Sequence, residues 1–319
     1  MNKMKTTLLL CFIMMLISQQ AMSNNVQISN VRLTGQNTTS DFTMVEFDIT
    51  WENSWRYSGG PNNWDAAWIF VKYKIVPNPW MHAWLNNTGH QSCASTTIEN
   101  GLLTPGTAFN STTNPVLGVF LYRAVPGNGT FSCQDVQLRW NYGANGVADN
   151  AQVDIKVFAI ETVYIPGGAF DVGSGGDELG AFLSYPGPDP FVITSEALIN
   201  VGNTPGYLEY EYTGSAPGDH LGPIPAAYPK GFKAFYAMKY EISQLGYVDF
   251  LNTLTRVQQG NRVRANIAGQ QVVEKFVMAN SVNPLNRSGI SCRTTIPPFP
   301  GQIEFFCDLN NNGGPNESN

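Results

Sequence analysis

The fold class of the first half of this chain is decided by residues 42–51, Phe-Thr-Met-Val-Glu-Phe-Asp-Ile-Thr-Trp. Apolar and polar side chains alternate along this stretch, which is the period of a β-strand with one buried face. The alternation changes parity at Val45-Glu46, which we interpret as a β-bulge. The sequence therefore predicts a strand that points a row of large apolar side chains into a core.

Other strand-like stretches surround this one and are separated by clusters of Gly, Asn, Pro and Ser. They cover residues 26–33, 68–75, 118–123, 136–140 and 153–160. Several short strands with turn signals and no convincing helix are typical of an antiparallel β-sandwich. We therefore predict a mainly β chain, or an α+β chain, with a β-sandwich domain over residues 24–160.

The composition excludes some classes of protein. The chain has 319 residues, enough for about two domains. Aromatic residues make up 12% and charged residues 13% of the sequence. This is too aromatic and too weakly charged for a disordered chain. The formal net charge is −6 and no basic stripe is present, so we expect no nucleic-acid partner.

Residues 1–23 have the three parts of a secretory signal peptide. Lys3 and Lys5 form a positive region, residues 8–17 are apolar, and residues 21–23 form a cleavage site of the small-x-small type. The apolar run is shorter than the roughly 20 residues that a membrane-spanning helix needs. We expect an exported protein that is extracellular, at the cell surface or in the periplasm. Loss of the two lysines would change its formal net charge from −6 to −8, and we expect no transmembrane segment in the mature chain.

Four cysteines follow the signal peptide: Cys93, Cys133, Cys292 and Cys307. An even number of cysteines in an exported chain indicates disulfides. Nearest-neighbour pairing would join Cys93 to Cys133 and Cys292 to Cys307, although four cysteines allow three pairings. Metal binding is the alternative, but no CxxC motif or nearby histidine supports it.

A second unit begins near residue 161. Residues 166–231 contain 13 Gly and 9 Pro, a density that opposes regular helices and central strands. Aromatic residues punctuate this stretch, which favours ordered loops packed on a core. A helix with Ser243 as its N-cap follows, and a weaker helix is predicted over residues 271–278.

Two stretches of the second unit resemble the formylglycine-generating-enzyme-like (sulfatase-modifying factor) family. Residues 164–174, Tyr-Ile-Pro-Gly-Gly-Ala-Phe-Asp-Val-Gly-Ser, resemble the opening of such domains. Residues 235–252, which contain Lys-Tyr-Glu and end in Phe-Leu-Asn, resemble the family's first helix signature. The Gly/Pro-rich insertion between them is similar to versions in exported surface proteins of the Bacteroidetes group.

The resemblance implies a loop-rich variant of the C-type-lectin fold over residues 161–319. In the family's enzymes the paired catalytic cysteines lie in the last third of the domain, and this chain stops before that region. Cys292 and Cys307 lie too early in the domain to be those residues. We therefore assign no catalytic residue and expect a C-terminally truncated domain that is not an enzyme.

The β domain contains a candidate ligand site around Trp55 and Trp64, which flank a Gly- and Asn-containing loop. Aromatic faces can stack on sugars, and neighbouring polar side chains can orient a glycan or a protein partner. The alternative is that these tryptophans pack in the core of the β domain. The proposed set comprises Trp55, Arg56, Asn62, Asn63, Trp64 and Asp65.

The C-terminal stretch contains half of a calcium-loop pattern. Asp308, Asn310 and Asn312 supply oxygen ligands at loop positions 1, 3 and 5, and a glycine follows at position 6. Glu317 falls at position 10 instead of position 12. The sequence therefore predicts a weak Ca²⁺ site, with an Asn-rich polar turn as the alternative.

These observations favour a non-catalytic exported or cell-surface protein with a role in adhesion, motility or surface structure. Its partner would be a protein or glycan at the cell surface, or a second copy of the chain. One alternative is a fragment of a formylglycine-generating oxidase or a related metal-dependent oxygenase. Another is a self-assembling structural subunit of an extracellular polymer.

Overall fold

The structure is a computed structural model that describes residues 25–175, 181–210 and 222–313. The predicted signal peptide lies outside these residues. The described strands are β1 (Gln27–Asn37), β2 (Phe42–Tyr57), β3 (Asn63–Lys74), β4 (Met81–His82), β5 (Thr96–Leu102), β6 (Val116–Arg123), β7 (Gly127–Trp140), β8 (Asp154–Ile165), β9 (Phe170–Val172), β10 (Phe182–Ser184), β11 (Phe191–Ile193), β12 (Leu208–Tyr210), β13 (Phe235–Met238), β14 (Ile290–Cys292) and β15 (Phe305–Cys307). The described helices are α1 (Gln244–Leu251) and α2 (Arg256–Gly260). The chain is therefore mainly β, as predicted.

Two long strands organise an antiparallel network of nine strands. β2 pairs with β1 along one edge and with β7 along the other. β3 pairs with β8 and β6, and β5 extends the β6 edge. The β2–β3 hairpin joins the two groups of strands. Each of the six stretches predicted as strands in residues 24–160 overlaps one of these strands.

The main core lies between these two groups because alternate residues of each strand point inward. On β2 the inward row is Val45, Phe47, Ile49 and Trp51, each at most 2% exposed. These side chains meet inward rows from β3, β6 and β7 in one hydrophobic cluster. Burial of a large apolar side chain contributes about 1.5–3 kcal/mol, so the alternation seen in the sequence supplies much of the stabilisation of this half.

The bulge predicted at Val45-Glu46 is wrong. The pairing of β2 with β7 is regular up to Phe47, and the register shifts between Phe47 and Ile49. The additional residue lies on β7, where Asp135 has a left-handed φ of 53°. The parity change arises because Met44, on the face opposite Val45, is also buried at 7% exposure.

The disulfide predicted between Cys93 and Cys133 is confirmed, with a Cα–Cα distance of 5.5 Å. It ties the loop before β5 to the buried strand β7. The bridge joins residues 40 positions apart, for which the chain-entropy model gives a stabilisation of about 4 kcal/mol.

The disulfide predicted between Cys292 and Cys307 is wrong, because the structure does not join these residues. In the β14–β15 hairpin, Cys292 lies opposite Phe305 and Cys307 lies opposite Ile290. The cysteines are therefore diagonal neighbours, for which Cα separations of about 7–8 Å are usual, whereas a disulfide needs less than about 7 Å. Burial raises the pKa of the Cys292 thiol to about 11, so that thiol is protonated at neutral pH.

His90 fastens a loop to β7 through both ring nitrogens. Its Nδ1 accepts a hydrogen bond from Arg139 N at 3.1 Å, and its Nε2 lies 2.9 Å from Asn86 O. Because Nδ1 accepts, the ring is neutral with its proton on Nε2. Burial lowers the pKa of His90 from its ordinary value of 6.5.

We expect the free energy of unfolding to fall as the pH falls from 7 to 5, with up to about 1.4 kcal/mol per pH unit arising from His90. A histidine whose pKa is lowered by folding contributes fully to the stability of the folded state at pH values above its ordinary pKa. This contribution is lost as the pH falls toward the folded-state pKa. Urea unfolding at pH 5, 6 and 7 measures the slope, which should be shallower in His90→Gln. An equal slope in the wild type and the variant would contradict this role of His90.

The Gly/Pro-rich stretch forms short two-stranded sheets, in which β9 pairs with β11 and β10 pairs with β12. Ile193, Ile199 and Leu208, each at most 9% exposed, form a small apolar cluster beside them. Within the described residues this arrangement agrees with the prediction of ordered loops packed on a core.

The helix predicted after Ser243 is confirmed as α1. The Ser243 side chain accepts a hydrogen bond from Gly246 N at 3.1 Å and caps the helix. Val248 and Leu251 are buried and pack in a second core with residues of β14 and β15. The N-cap and the apolar stripe therefore placed this helix correctly.

The helix predicted over residues 271–278 is wrong. These residues form irregular structure with isolated bridges, including one between Phe276 and Ser291. Val272, Phe276 and Val277 are all buried, so their spacing reflects burial in a loop instead of a helical face. The short helix α2 lies nearer the N-terminus and begins after the capping residue Thr255.

Strand β8 crosses the predicted domain boundary between residues 160 and 161. It pairs with β3 from Asp154 to Val163, and its last four residues also pair with β13 of the second unit. A hydrogen bond of 2.9 Å from Lys239 N to Glu161 O follows directly after this pairing. The two predicted units therefore share a strand.

Candidate functional site

The residues predicted to bind a ligand lie on the β2–β3 hairpin but do not form one exposed patch. Asn62 is exposed, Trp55, Arg56 and Asn63 are partly buried, Trp64 is 8% exposed and Asp65 is fully buried. For Trp64 the structure therefore agrees with the alternative of a packed side chain, because this second residue of β3 lies beneath other aromatic side chains. A ligand-binding role for the more accessible members stays a prediction.

Trp64 lies within an aromatic cluster on the face of β3 opposite the main core. Its indole stacks on Tyr164 with a centroid distance of 3.9 Å and on Tyr122 at 5.2 Å. Its Nε1 lies 3.3 Å from Tyr236 Oη, and the guanidinium carbon of Arg56 lies 4.6 Å from the ring centroid. Since the stacking surfaces of Trp64 already contact protein groups, a sugar could stack there only after these side chains had moved.

Glu99 holds the polar ends of this cluster. Its carboxylate accepts hydrogen bonds from Tyr122 Oη at 3.2 Å and Tyr236 Oη at 3.0 Å. Burial raises the pKa of both tyrosines, so each hydroxyl keeps its proton and donates. The cluster is therefore a fixed network of hydrogen bonds and stacked rings.

Asp65 is the centre of a buried polar network at the same end of the molecule. Its carboxylate accepts hydrogen bonds from Trp51 Nε1 at 2.8 Å, Ser54 Oγ at 2.9 Å and Trp55 N at 3.0 Å. The ammonium group of Lys239 lies 3.1 Å from the same carboxylate. These contacts occupy both carboxylate oxygens, which gives Asp65 a structural role in place of the predicted contact with a ligand.

Lys239 joins the two predicted units through this network. Its Nζ lies 3.1 Å from Asp65 Oδ2, 3.2 Å from Glu161 Oε2 and 3.1 Å from Asn53 O. Burial raises the pKa of Glu161 despite the lysine beside it. Burial alone would lower the pKa of Lys239, but its ion pairs with Asp65 and Glu161 outweigh this effect and raise it. The lysine is therefore charged and compensates two buried carboxyl groups.

The predicted calcium loop is a hydrogen-bonded turn where it is described. Asp308 is fully buried, and one of its carboxylate oxygens accepts a hydrogen bond from Asn312 N at 3.1 Å. Asn310 Oδ1 accepts from the same N–H at 2.9 Å, and Lys275 Nζ lies 4.0 Å from Asp308 Oδ2. Glu317 lies outside the described residues. Calcium binding at this loop stays a prediction.

A cleft with mostly apolar walls lies beside β8 and next to α1. Its volume is about 540 Å³, within the range of about 300–1,000 Å³ for ligand pockets. Val26 and Ile28 line one side, residues 157–160 of β8 form the base, and Tyr247 and Phe250 of α1 line another side. We call this feature the β8 cleft.

Comparison with known proteins finds no protein-family model that matches the chain, and no curated protein or solved structure that is significantly similar to it. Within residues 25–175, 181–210 and 222–313, no three His, Cys, Asp or Glu side chains are grouped so as to hold a metal ion. The helices in those ranges are too short or too polar to span a membrane.

The β8 cleft and Lys239 were not predicted from the sequence. A signal for the cleft exists in β8, which carries apolar side chains on both faces, with Val157 and Ala159 on one and Phe158 and Ile160 on the other. Such a strand is covered on both faces. No local signal marks Lys239, because its partner Asp65 is 174 residues away.

Proposed function

We propose that this chain is a non-catalytic exported or cell-surface protein that binds a partner or ligand at the β8 cleft. The observation that supports this proposal is the lining of the cleft. Phe70 and Phe158 stack at a centroid distance of 5.0 Å within its lining, and Ser243 and Asp249 bring polar side chains to it. Ligand clefts typically combine apolar walls with a few such polar groups.

The proposal includes an architecture and a location. The two groups of strands around the main core form a β-sandwich, and residues 161–319 belong to a lectin-like domain of the formylglycine-generating-enzyme-like type. Inward rows of apolar residues on β2 and β3 support the sandwich. The leader pattern and the Cys93–Cys133 disulfide support export, because disulfides persist in oxidising compartments.

Self-assembly is a second candidate function, which the exposure of β1 favours. β1 has eleven residues, most of them exposed, including Val31 at 36% and Leu33 at 37%. In the described part of the chain β2 alone pairs with β1, and an open strand edge can pair with another chain. Sedimentation at micromolar concentration tests this candidate, and a stable monomer would remove it.

We expect the neutral apolar dye Nile red to bind the wild-type chain and to bind the Ile242→Glu and Met238→Glu variants at least about tenfold more weakly. Both side chains line the cleft and are more than a third exposed, so a carboxylate there should repel an apolar ligand without disturbing the core. A fluorescence titration gives the affinity.

Val273→Glu is the matched control, because Val273 is 71% exposed and lies outside the cleft lining. It should bind the dye as the wild type does. The proposed binding site would be refuted if the wild type failed to bind Nile red, or if all three variants bound it equally well.

A further inference from the structure

One edge of β8 is open inside the β8 cleft. The opposite edge pairs with β3 from Asp154 to Val163. On the open side, β13 covers only Thr162–Ile165, and the bond from Lys239 N to Glu161 O is the last contact of that ladder. Among the described strands, none pairs with this side of β8 between Asp154 and Ile160.

The alternation of an antiparallel ladder shows which backbone groups point into the cleft. The carbonyl of Glu161 points toward β13, because it accepts from Lys239 N. Residues two and four positions earlier in a strand direct their N–H and C=O groups to the same side. Those residues are Ala159 and Val157, and both line the cleft. The cleft therefore offers peptide groups for hydrogen bonding between apolar walls.

We infer that the β8 cleft receives an extended peptide from a partner protein, which adds a strand to β8 in line with β13. This inference rests on the proposed function and specifies its ligand. Backbone hydrogen bonds to Val157 and Ala159 would supply affinity, and alternate side chains of the peptide would contact the walls. Residues 157–160, the part of β8 that lines the cleft, span about 13 Å at 3.3 Å per residue. The peptide therefore needs only a short extended segment.

The charge at the rim of the β8 cleft indicates which side chains the peptide should have. Asp249 is the single charged side chain among the residues that line the cleft, and it is exposed at the position before Phe250 on α1. An acidic group beside an apolar site favours a partner with a positive charge at the matching position. The peptide is therefore apolar at alternate positions and carries a lysine or arginine that reaches Asp249.

The probe is a blocked seven-residue peptide of alternating valine and threonine with a lysine at one end. Isothermal titration calorimetry with the full chain measures its affinity. An analogue with N-methyl groups on alternate residues is the matched peptide control, because it keeps the side chains but cannot form the ladder. We expect the analogue to bind at least about tenfold more weakly, and hydrogen exchange at the Val157 and Ala159 amides to slow when the unmodified peptide binds.

The variant Asp249→Asn should weaken binding of the lysine peptide several-fold, whereas Asp171→Asn, at an exposed aspartate outside the cleft lining, should not. Nile red binding without peptide binding would overturn this inference and leave the proposed function standing. A wild-type chain that binds neither Nile red nor the peptide would overturn both the inference and the proposed function. Equal affinity of the chain for the peptide and for its N-methyl analogue would refute strand addition. Equal affinity of the wild type and Asp249→Asn for the lysine peptide would refute the contact between a basic residue of the peptide and Asp249.

Discussion

Replacement of Lys239 by methionine is expected to lower the free energy of unfolding by about 3–5 kcal/mol. The ammonium group lies within 3.2 Å of carboxylate oxygens of both Asp65 and Glu161, and these residues are 0% and 1% exposed. Methionine would fill a similar space but would leave two acidic groups in the interior without a cation. Because Asp65 lies in the first unit and Glu161 and Lys239 lie in the second, the loss should affect both units together.

Urea unfolding at pH 7, followed by tryptophan fluorescence and by circular dichroism, measures this loss. Lys156→Met is the control, because Lys156 is likewise near an aromatic ring, 5.7 Å from the centroid of Trp80, but forms no buried ion pair with the described residues. It should change stability by less than about 1 kcal/mol. Adding Asp65→Asn to Lys239→Met should recover part of the loss. A Lys239→Met variant as stable as the control would refute the role of the buried ion pairs.

Replacement of Arg256 by methionine is expected to destabilise the second unit by about 3 kcal/mol or more. The side chain is 3% exposed, and it donates hydrogen bonds to the carbonyl oxygens of Ile267, Gly269, Pro297 and Gly301 at 2.5–3.3 Å. These carbonyls belong to loops that have no sheet ladder to satisfy them. Buried carbonyl groups without a donor are costly, so the loss should exceed that of an ordinary surface arginine.

The positions of the tryptophans make this prediction specific. All seven lie between Trp51 and Trp140, outside residues 256–307, so tryptophan fluorescence does not report directly on the loops that Arg256 holds. In Arg256→Met we expect rapid hydrogen exchange across residues 256–307 at denaturant concentrations where tryptophan emission is still native. Arg262→Met is the control, because Arg262 is exposed and its side chain donates to Gln258 O alone among the described residues. Arg256→Lys should be intermediate, since lysine keeps the charge but lacks the forked donors. Native exchange rates in Arg256→Met would show that the loops are held by other contacts.

The sequence was informative where structure depends on neighbours along the chain. Alternation over residues 42–51 predicted β2, and the hydroxyl of Ser243 before an apolar stripe predicted α1. Both signals depend on residues a few positions apart. The prediction of a helix over residues 271–278 was wrong because buried apolar residues of a loop have the same spacing as one face of a helix.

The candidate site could be predicted only in part, because its geometry depends on contacts between distant residues. Nothing in the hairpin sequence indicates that Trp64 is covered by Tyr164, or that Asp65 pairs with Lys239. The β8 cleft likewise depends on where α1 packs relative to β8. The pairing of Cys292 with Cys307 was predicted from compartment and spacing, whereas a two-residue offset in a hairpin decided the outcome.

The position of β8 also bears on how such a chain could evolve. Gene rearrangements yield folded products where few contacts cross the point of joining. A break after residue 160 would divide β8 and separate Asp65 from Lys239. Recombination could therefore transfer the first unit to another protein intact only if residues 161–239 were inherited with it.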